Sequence, residues 1–214
     1  DSYLEDAEAK GCRIRHVFLT RLNPGHETGH LQLRDRMEAT THIGAWARPD
    51  YGVSPLKNGD VLEFGDVRLK ILETPGRTLE AISILYFDLS IDADSPQAVL
   101  TGNTLLIGDV GAPELPPLGQ FNCRELAGML YGSLRDKLLT LPGGTRVYPG
   151  HDSASPSVVP DGSGGLWSTI DLERNFNHAL RPMTRAAFAR LVCADTPEPG
   201  RCSRRFPDVL HPLP

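Results

Sequence analysis

The chain has 214 residues, 40% of them hydrophobic and 23% charged, which is the balance of a globular protein rather than a disordered or collagen-like one. Its 22 basic and 27 acidic residues give a net charge of −5, which argues against non-specific nucleic-acid binding because that requires a basic surface. No apolar run approaches the ~18 residues of a membrane-spanning helix. The seven histidines are the one feature of the composition that hints at chemistry.

The cysteines bear on the cellular compartment. Cys12, Cys123, Cys193 and Cys202 are far apart and form no C-x-x-C pair. This spacing favours neither a zinc knuckle nor a disulfide framework, so we expect reduced thiols. The first ten residues are acidic and amphipathic and do not follow the pattern of a signal peptide. Together these features predict a cytoplasmic protein.

Hydrophobic periodicity and turn residues divide the first half of the chain into short elements. In chain order we expect a helix from the N-terminus to Gly11, a strand over 13–20, a Pro-Gly loop at 23–25, a short helix near 28–37, and β structure from 51 to 87 with a hairpin turn at Gly65-Asp66.

The second half mixes strands and helices in the same way. We expect a strand over 97–102, a helix over 124–141, a short strand that ends at His151, a Ser-, Pro- and Gly-rich loop over 153–165, helices over 170–179 and 184–194, and a Pro-rich tail that lies over the surface. Such an order predicts a layered α/β protein in which helices cover the sheet.

Four segments that end strands carry polar residues, and chemistry in such folds collects at strand ends. They are T-R-L-N-P-G-H at 20–26, E-T-P-G-R-T at 73–78, T-G-N-T-L-L-I-G-D-V-G at 101–111 and Y-P-G-H-D at 148–152. In this order and spacing they resemble the motifs of the metallo-β-lactamase superfamily, in particular those of persulfide dioxygenases and glyoxalase II-like proteins. The resemblance extends to S-T-I-D-L-E-R and A-D-T-P-E-P near the C-terminus.

The resemblance implies an α/β fold, the metallo-β-lactamase-like αββα sandwich, with its active site on one rim. We expect this domain to span 1–195 and to be followed by the Pro-rich tail at 196–214. Family members usually begin with several strands before the helix that opens this chain, so the domain is expected to lack its N-terminal strands. Three explanations stay open: the chain is a fragment, it is a truncated gene product, or its sheet is completed by another chain or in a homo-oligomer.

The resemblance also implies a metal site, but most of its ligands are replaced here. The seven positions at which the family has ligands are occupied in this chain by Arg21, Asn23, Gly25, His26, Arg77, Asn103 and His151. Only the two histidines of this set keep a ligating side chain. Persulfide dioxygenases are expected to hold one iron through three of the positions, and these carry Arg21, Arg77 and Asn103 here.

The chemistry of the replacements disfavours a metal. Arginine offers no lone pair and stays charged, so two guanidinium groups repel a divalent cation. Non-haem iron needs two imidazoles and a carboxylate, and dinuclear zinc needs a bridging carboxylate. We therefore expect no cofactor and no catalytic residue of the family type. His26, His151 and Asp152 are weak metal candidates only.

A fixed positive charge in place of a metal favours an anion site. We hypothesise that the rim pocket binds a small anion such as sulfate, a carboxylate or a thiol conjugate. The candidate ligand-binding residues are Arg21, Asn23, His26, Arg77, Asn103 and His151. The alternative is that long polar side chains simply fill an emptied pocket.

The chain is accordingly expected to be a pseudoenzyme, an inactive or strongly altered relative of glutathione-persulfide dioxygenases in sulfur metabolism. The alternative from the enzyme class is an active sulfur dioxygenase or thioester hydrolase with Fe(II) or Zn in a non-standard site. The remaining histidines are expected to be structural; they are His16, His30, His42, His178 and His211.

Overall fold

Two main β-sheets, a separate two-stranded sheet and five α-helices build the fold of the residues that the computed structural model describes, which are 2–22, 29–116, 121–151 and 167–194. The strands are β1 (His16–Leu19), β2 (Thr40–Gly44), β3 (Ser54–Leu56), β4 (Val61–Phe64), β5 (Val67–Glu73), β6 (Ile82–Asp88), β7 (Ala98–Gly102), β8 (Leu105–Leu106), β9 (Asp109–Val110), β10 (Arg146–Pro149) and β11 (Ser168–Thr169). The smaller sheet has the order β1-β2-β3, and the larger sheet has the order β11-β10-β7-β6-β5-β4.

The helices are α1 (Ser2–Ala9), α2 (His30–Met37), α3 (Cys123–Gly132), α4 (Ile170–Phe176) and α5 (Arg185–Val192). A capping box starts α3, because the Asn122 side chain accepts from the Glu125 backbone N–H and the Glu125 carboxylate accepts from the Asn122 N–H. None of the helices in the described ranges is long and apolar enough to cross a membrane.

The prediction of one continuous helix over 124–141 is wrong beyond Gly132. A π-turn over Ser133–Lys137 and a 3-10 turn over Leu138–Thr140 follow the α-helix. In an α-helix, side chains spaced four residues apart move gradually around the helix axis, and the wider π-turn reduces this rotation. The break therefore keeps the leucines of this segment in the core, although their spacing looks helical throughout.

The core has the layers of the expected sandwich. One face of the large sheet packs against α3, α4 and α5 through a cluster that includes Leu85, Val99, Leu130, Val147 and Phe188. On the opposite face, Ile71, Ile82 and Ile84 pack against Leu56 of β3, with Phe18 of β1 beside them. The helix α2 contacts β2 of the small sheet. The αββα arrangement is thus confirmed.

Most predicted elements of the sheets are present. The hairpin turn at Gly65-Asp66 joins β4 to β5 with Phe64 opposite Val67. The strand β2 was not predicted, because Thr41, His42, Ile43 and Gly44 are all buried and so show no alternation of polar and apolar residues. The predicted loops at 23–25 and 153–165 and the tail at 196–214 lie outside the described residues.

The small sheet covers only part of the large one. An open groove of about 910 Å³ lies on the same face as Ile84 and is lined by Tyr86, Leu100, Arg146 and Tyr148 among others. Leu100 is 40% exposed there. The expectation that another chain completes the sandwich stays a prediction.

A pair of histidines joins β1 to β2. His16 Nδ1 and His42 Nε2 are 2.9 Å apart, and Phe18 and Phe64 pack on the two rings. Burial, together with the charge of His16, lowers the pKa of the His42 imidazole from its ordinary value. The pair is favourable while at least one ring is neutral, because one proton then lies between the two nitrogens.

Acid is expected to weaken the fold through this pair. A histidine whose pKa is lowered by folding contributes stability that is complete above its unfolded pKa of about 6.5 and is lost as the pH falls below that value. Urea unfolding between about pH 7.5 and pH 5 is expected to show a smaller pH dependence in His42→Asn than in the wild type. Phe64→Leu, which removes a packed ring but no titrating group, is the control. An unchanged dependence in His42→Asn would contradict this role.

A disulfide joins α3 to the end of α5. Cys123 and Cys193 are 70 residues apart in sequence, with their Cα atoms 6.0 Å apart. The expectation of reduced thiols is therefore wrong for this pair. Spacing along the sequence does not reveal the bond, because only the packing of α3 on α5 brings the two cysteines together. Cys12 is free and exposed, and Cys202 lies outside the described residues.

Removal of the disulfide is expected to destabilise the protein. A crosslink restricts the unfolded chain, and closing a loop of this length contributes about 4 kcal/mol. The double variant Cys123→Ser/Cys193→Ser should lose about that much free energy of unfolding, measured with urea. Dithiothreitol should lower the melting temperature of the wild type and leave that of the double variant unchanged. Cys12→Ser serves as the control, and a loss of similar size in it would refute the assignment.

Candidate functional site

The motif segments of the large sheet meet at one edge. β5 and β7 are each antiparallel to β6, and β10 is parallel to β7, so the C-terminal ends of β5, β7 and β10 lie together. The Gly150 N–H donates to the Gly102 carbonyl at 2.7 Å, which joins the loops after β7 and β10. The end of β1 reaches the same edge, because the Ile82 N–H donates to the Thr20 carbonyl at 2.9 Å.

Arg21 and Arg77 converge on one carboxylate oxygen. Arg21 Nη1 lies 3.6 Å and Arg77 Nη2 lies 3.4 Å from Glu114 Oε2. The side chains of the two arginines are 12% and 26% exposed, whereas that of Glu114 is 41% exposed. The two guanidinium groups are therefore largely withdrawn from water, and the carboxylate between them faces the opening.

Backbone groups fix the positions of the three side chains. Arg77 Nη1 donates to the Ala112 carbonyl at 2.5 Å, and the Glu114 N–H donates to the Arg77 carbonyl at 2.8 Å. Arg21 Nη1 donates to the Leu22 carbonyl at 2.9 Å. The loop after β9 is thus tied to the loop after β5, and Glu114 is placed opposite both arginines.

Asn103 lies beside this cluster. A Cβ built on Gly111 would come within 1.9 Å of the Asn103 carbonyl oxygen and 3.2 Å of Arg77 Cδ. Only a glycine allows the backbone at residue 111 to approach both the Asn103 carbonyl group and the Arg77 side chain so closely. Asn103 is the residue that directly follows β7, and it therefore lies at the rim next to Arg77.

The electrostatics of the cluster favour a further negative group. Two guanidinium groups share one carboxylate within ion-pair distance, so one of the positive charges has no carboxylate of its own among the described residues. Burial lowers the pKa of the Arg77 guanidinium; Glu114 opposes this shift and Arg21 adds to it. Arg77 Nε and Thr78 Oγ1 are buried and have no hydrogen-bond partner in the described part of the chain. Buried donors of this kind are costly unless a ligand or water satisfies them.

The helix α3 holds the Arg77 loop from behind. Ser133 Oγ donates to the Pro75 carbonyl at 2.7 Å. Gly76 has a φ of 137°, and a Cβ there would lie 2.3 Å from the Leu130 backbone nitrogen. The backbone at Gly76 therefore touches α3 directly, and the next residue is the arginine of the site.

The sequence-predicted site residues are only partly brought together. Arg21 and Arg77 meet through Glu114, and Asn103 lies beside them. His151 follows β10 at the same edge and is exposed. Asn23, His26 and Asp152 lie outside the described residues, so their part in the site stays a prediction.

Glu114 was missed by the sequence analysis. The loop that carries Glu114 matches no ligand motif. A role for its carboxylate is evident only from its contacts with the two arginines. One signal was available: two arginines at ligand positions require a counter-charge, and Glu114 is the acidic residue of the next strand-end loop.

The rim residues do not fit the metal centres of the superfamily. No three His, Cys, Asp or Glu side chains come together at metal-binding distances anywhere in the described ranges. At the expected iron positions the donors are two guanidinium groups and one amide. Guanidinium groups repel a cation, and a carboxamide is a neutral and weaker ligand than a carboxylate.

Comparisons with known proteins agree with the fold and with the resemblance that the sequence indicates. No family model matches the chain. It is 27% identical over 170 residues to the mitochondrial persulfide dioxygenase ETHE1 of Bos taurus, covering 79% of this chain and 58% of that protein. It is 28% identical over 227 residues to the hydroxyacylglutathione hydrolase of Brucella ovis, covering 92% of this chain and 81% of that protein.

Solved structures give the same assignment. The crystal structure of ETHE1 from Myxococcus xanthus superposes with a TM-score of 0.72 at 28% identity, covering 93% of this chain and 77% of that one. A metallo-beta-lactamase from Staphylococcus aureus superposes with a TM-score of 0.79 at 25% identity, covering 92% of this chain and 58% of that one.

The chain has the fold of the metallo-β-lactamase superfamily, and its sequence is similar to those of persulfide dioxygenases and hydroxyacylglutathione hydrolases. It spans 58% of the length of the bovine persulfide dioxygenase that it matches.

The contact between Gly76 and α3 can be tested by adding one methyl group. Gly76→Ala is expected to lower the free energy of unfolding by about 2 kcal/mol more than Gly59→Ala, because overpacking against Leu130 adds to the backbone strain. Gly59 also has a positive φ, 89°, but a Cβ there meets no atom within 4 Å. Urea unfolding measures both variants, and equal losses would show that the contact is unimportant.

Proposed function

We propose that this metallo-β-lactamase-fold protein is a catalytically inactive or altered relative of the persulfide dioxygenases whose rim binds a small anion. The observation that carries the proposal is the convergence of Arg21 and Arg77 on one oxygen of Glu114. The resemblance to the superfamily implies a metal ion as the positive charge at the rim, and we propose that in this chain two fixed guanidinium groups supply that charge.

The geometry of the cluster supports recognition of an oxyanion. Guanidinium groups bind carboxylates and sulfate through planar, charge-assisted hydrogen bonds. Glu114 already places a carboxylate oxygen between the two arginines, so the space between them accepts such a group. Arg77 Nε, which is buried and has no hydrogen-bond partner among the described residues, is a further donor of the same guanidinium group.

The relatives indicate which anions to test first. One is a persulfide dioxygenase and the other a hydroxyacylglutathione hydrolase. We propose that anionic thiol conjugates, simple carboxylates and sulfate are the candidate ligands. No step of catalysis is proposed for them, because the described rim residues provide no family-type metal site.

The competing function is an active sulfur dioxygenase or thioester hydrolase with Fe(II) or Zn. It would use a non-standard ligand set that includes His26 and His151, with Asp152 as an additional candidate. The position of His151 at the same edge as Arg77 and Asn103 favours this alternative. His26 and Asp152 lie outside the described residues.

The disulfide also bears on the cellular compartment of the protein. The expected cytoplasmic location rested on reduced thiols, whereas Cys123 and Cys193 form a disulfide. Disulfides form and persist mainly in oxidising compartments, so the cysteines no longer support the cytoplasm.

Arg77→Met tests the anion site, because methionine keeps a flexible, unbranched apolar side chain and removes the guanidinium group with its charge. Isothermal titration with sulfate, acetate and glutathione conjugates is expected to show binding by the wild type and an affinity at least about tenfold lower in Arg77→Met. Arg68→Met is the matched control, since Arg68 pairs with Glu63 at 2.7 Å on a surface hairpin. Equal binding by the wild type and Arg77→Met would remove the proposal.

The metal content of the purified protein distinguishes the competing function. Near-stoichiometric iron with oxygen uptake on glutathione persulfide would overturn the inactive assignment, and so would zinc with thioester cleavage. Protein without bound metal and without turnover, but with anion binding that depends on Arg77, is the expected result.

A further inference from the structure

A small apolar cavity opens beside the two arginines. It has a volume of about 200 Å³, and its apolar walls are Leu22, Leu79, Leu115 and Pro116. Glu114 is one of its lining residues, and the same side chain contacts both guanidinium groups, so the cavity and the two arginines adjoin at Glu114. This volume corresponds to about six water molecules, which is the size of a short aliphatic chain.

Two polar side chains limit what the cavity can hold. Thr78 lies in its wall, and the Thr78 hydroxyl is buried without a partner among the described residues. That hydroxyl is available to donate to an oxygen of a ligand. Glu80 also lines the cavity, and its Oε1 accepts from the Leu22 N–H at 3.0 Å. The carboxylate of Glu80 disfavours a ligand with a second negative charge.

Glu114 is held loosely for a residue in an ion-pair cluster. Its distances of 3.4 and 3.6 Å to the two guanidinium groups are longer than the about 2.7–2.9 Å of a charge-assisted hydrogen bond. Its side chain is 41% exposed, whereas its backbone is anchored to the Arg77 carbonyl. The side chain can therefore turn into water while the loop stays in place.

These observations point to one ligand class for the proposed anion site. We infer that Glu114 is an internal carboxylate that occupies the anion position in the free protein, and that an aliphatic monocarboxylate of about four to six carbons displaces it. The carboxylate of the ligand replaces that of Glu114 between Arg21 and Arg77. Its hydrocarbon chain fills the cavity between Leu22, Leu79 and Leu115. The inference rests on the proposed function, since it requires the arginines to bind anions.

Glu114→Gln tests the displacement, because the amide keeps the size of the side chain and removes the competing charge. Titration with butyrate is expected to show at least about tenfold tighter binding by Glu114→Gln than by the wild type. Glu63→Gln is the matched control, because it removes one negative charge far from the rim and should leave the affinity unchanged. Glu114→Asp, which withdraws the carboxylate by one methylene, provides a second variant and is expected to bind more tightly than the wild type.

A series of acids from acetate to octanoate tests the cavity in the wild type and in Glu114→Gln. Affinity is expected to rise to about hexanoate and then to stop rising, because longer chains no longer fit. Leu79→Phe, which fills the cavity, should remove the dependence on chain length and keep the binding of acetate. An affinity that does not depend on chain length would overturn the assignment of the cavity.

The outcomes separate this inference from the proposed function. Butyrate binding that depends on Arg77 but is equal in Glu114→Gln and the wild type would leave the anion site in place and overturn the displacement of Glu114. The absence of anion binding in both proteins would overturn the proposed function and the inference together.

Discussion

The rim of this protein depends on the ion cluster that Glu114 forms with Arg21 and Arg77. The two arginines come from loops after different strands, β1 and β5, and they would repel each other without a carboxylate between them. Partly buried charges of one sign are tolerated only when an opposite charge and hydrogen bonds compensate for the lost water. The backbone hydrogen bond from Glu114 to Arg77 makes that compensation part of the fold.

The supporting structure behind the cluster is built from backbone contacts. The Arg77 loop lies against α3 at Gly76, and Ser133 donates to the Pro75 carbonyl. The disulfide from Cys123 to Cys193 in turn joins α3 to the end of α5. The arginine therefore stands on a loop that a crosslinked pair of helices holds in position. Such a site can orient a guanidinium group without a metal ion as the organising centre.

The proposed function gives the rim of a shared fold a chemistry different from that of the relatives. The ends of several strands meet at one edge, where Arg77, Asn103 and His151 follow β5, β7 and β10. In the proposal, the positive charge of the site is covalently part of the chain. A fixed guanidinium group binds oxyanions but cannot activate oxygen or water as a metal does.

Much of this protein follows from its sequence alone, because hairpins, strand ends and motif order are local patterns. The turn at Gly65-Asp66, the strands β6, β7 and β10, and the positions of Arg21, Arg77 and Asn103 at strand ends were all predictable. The strand β2 and the π-turn after Gly132 were not, because burial on both sides of a strand and packing of the leucines override local periodicity. Glu114 and the Cys123–Cys193 bond depend on contacts between distant segments. Only the tertiary structure decides such contacts, because the sequence around each of these residues does not reveal the partner that folding brings next to it.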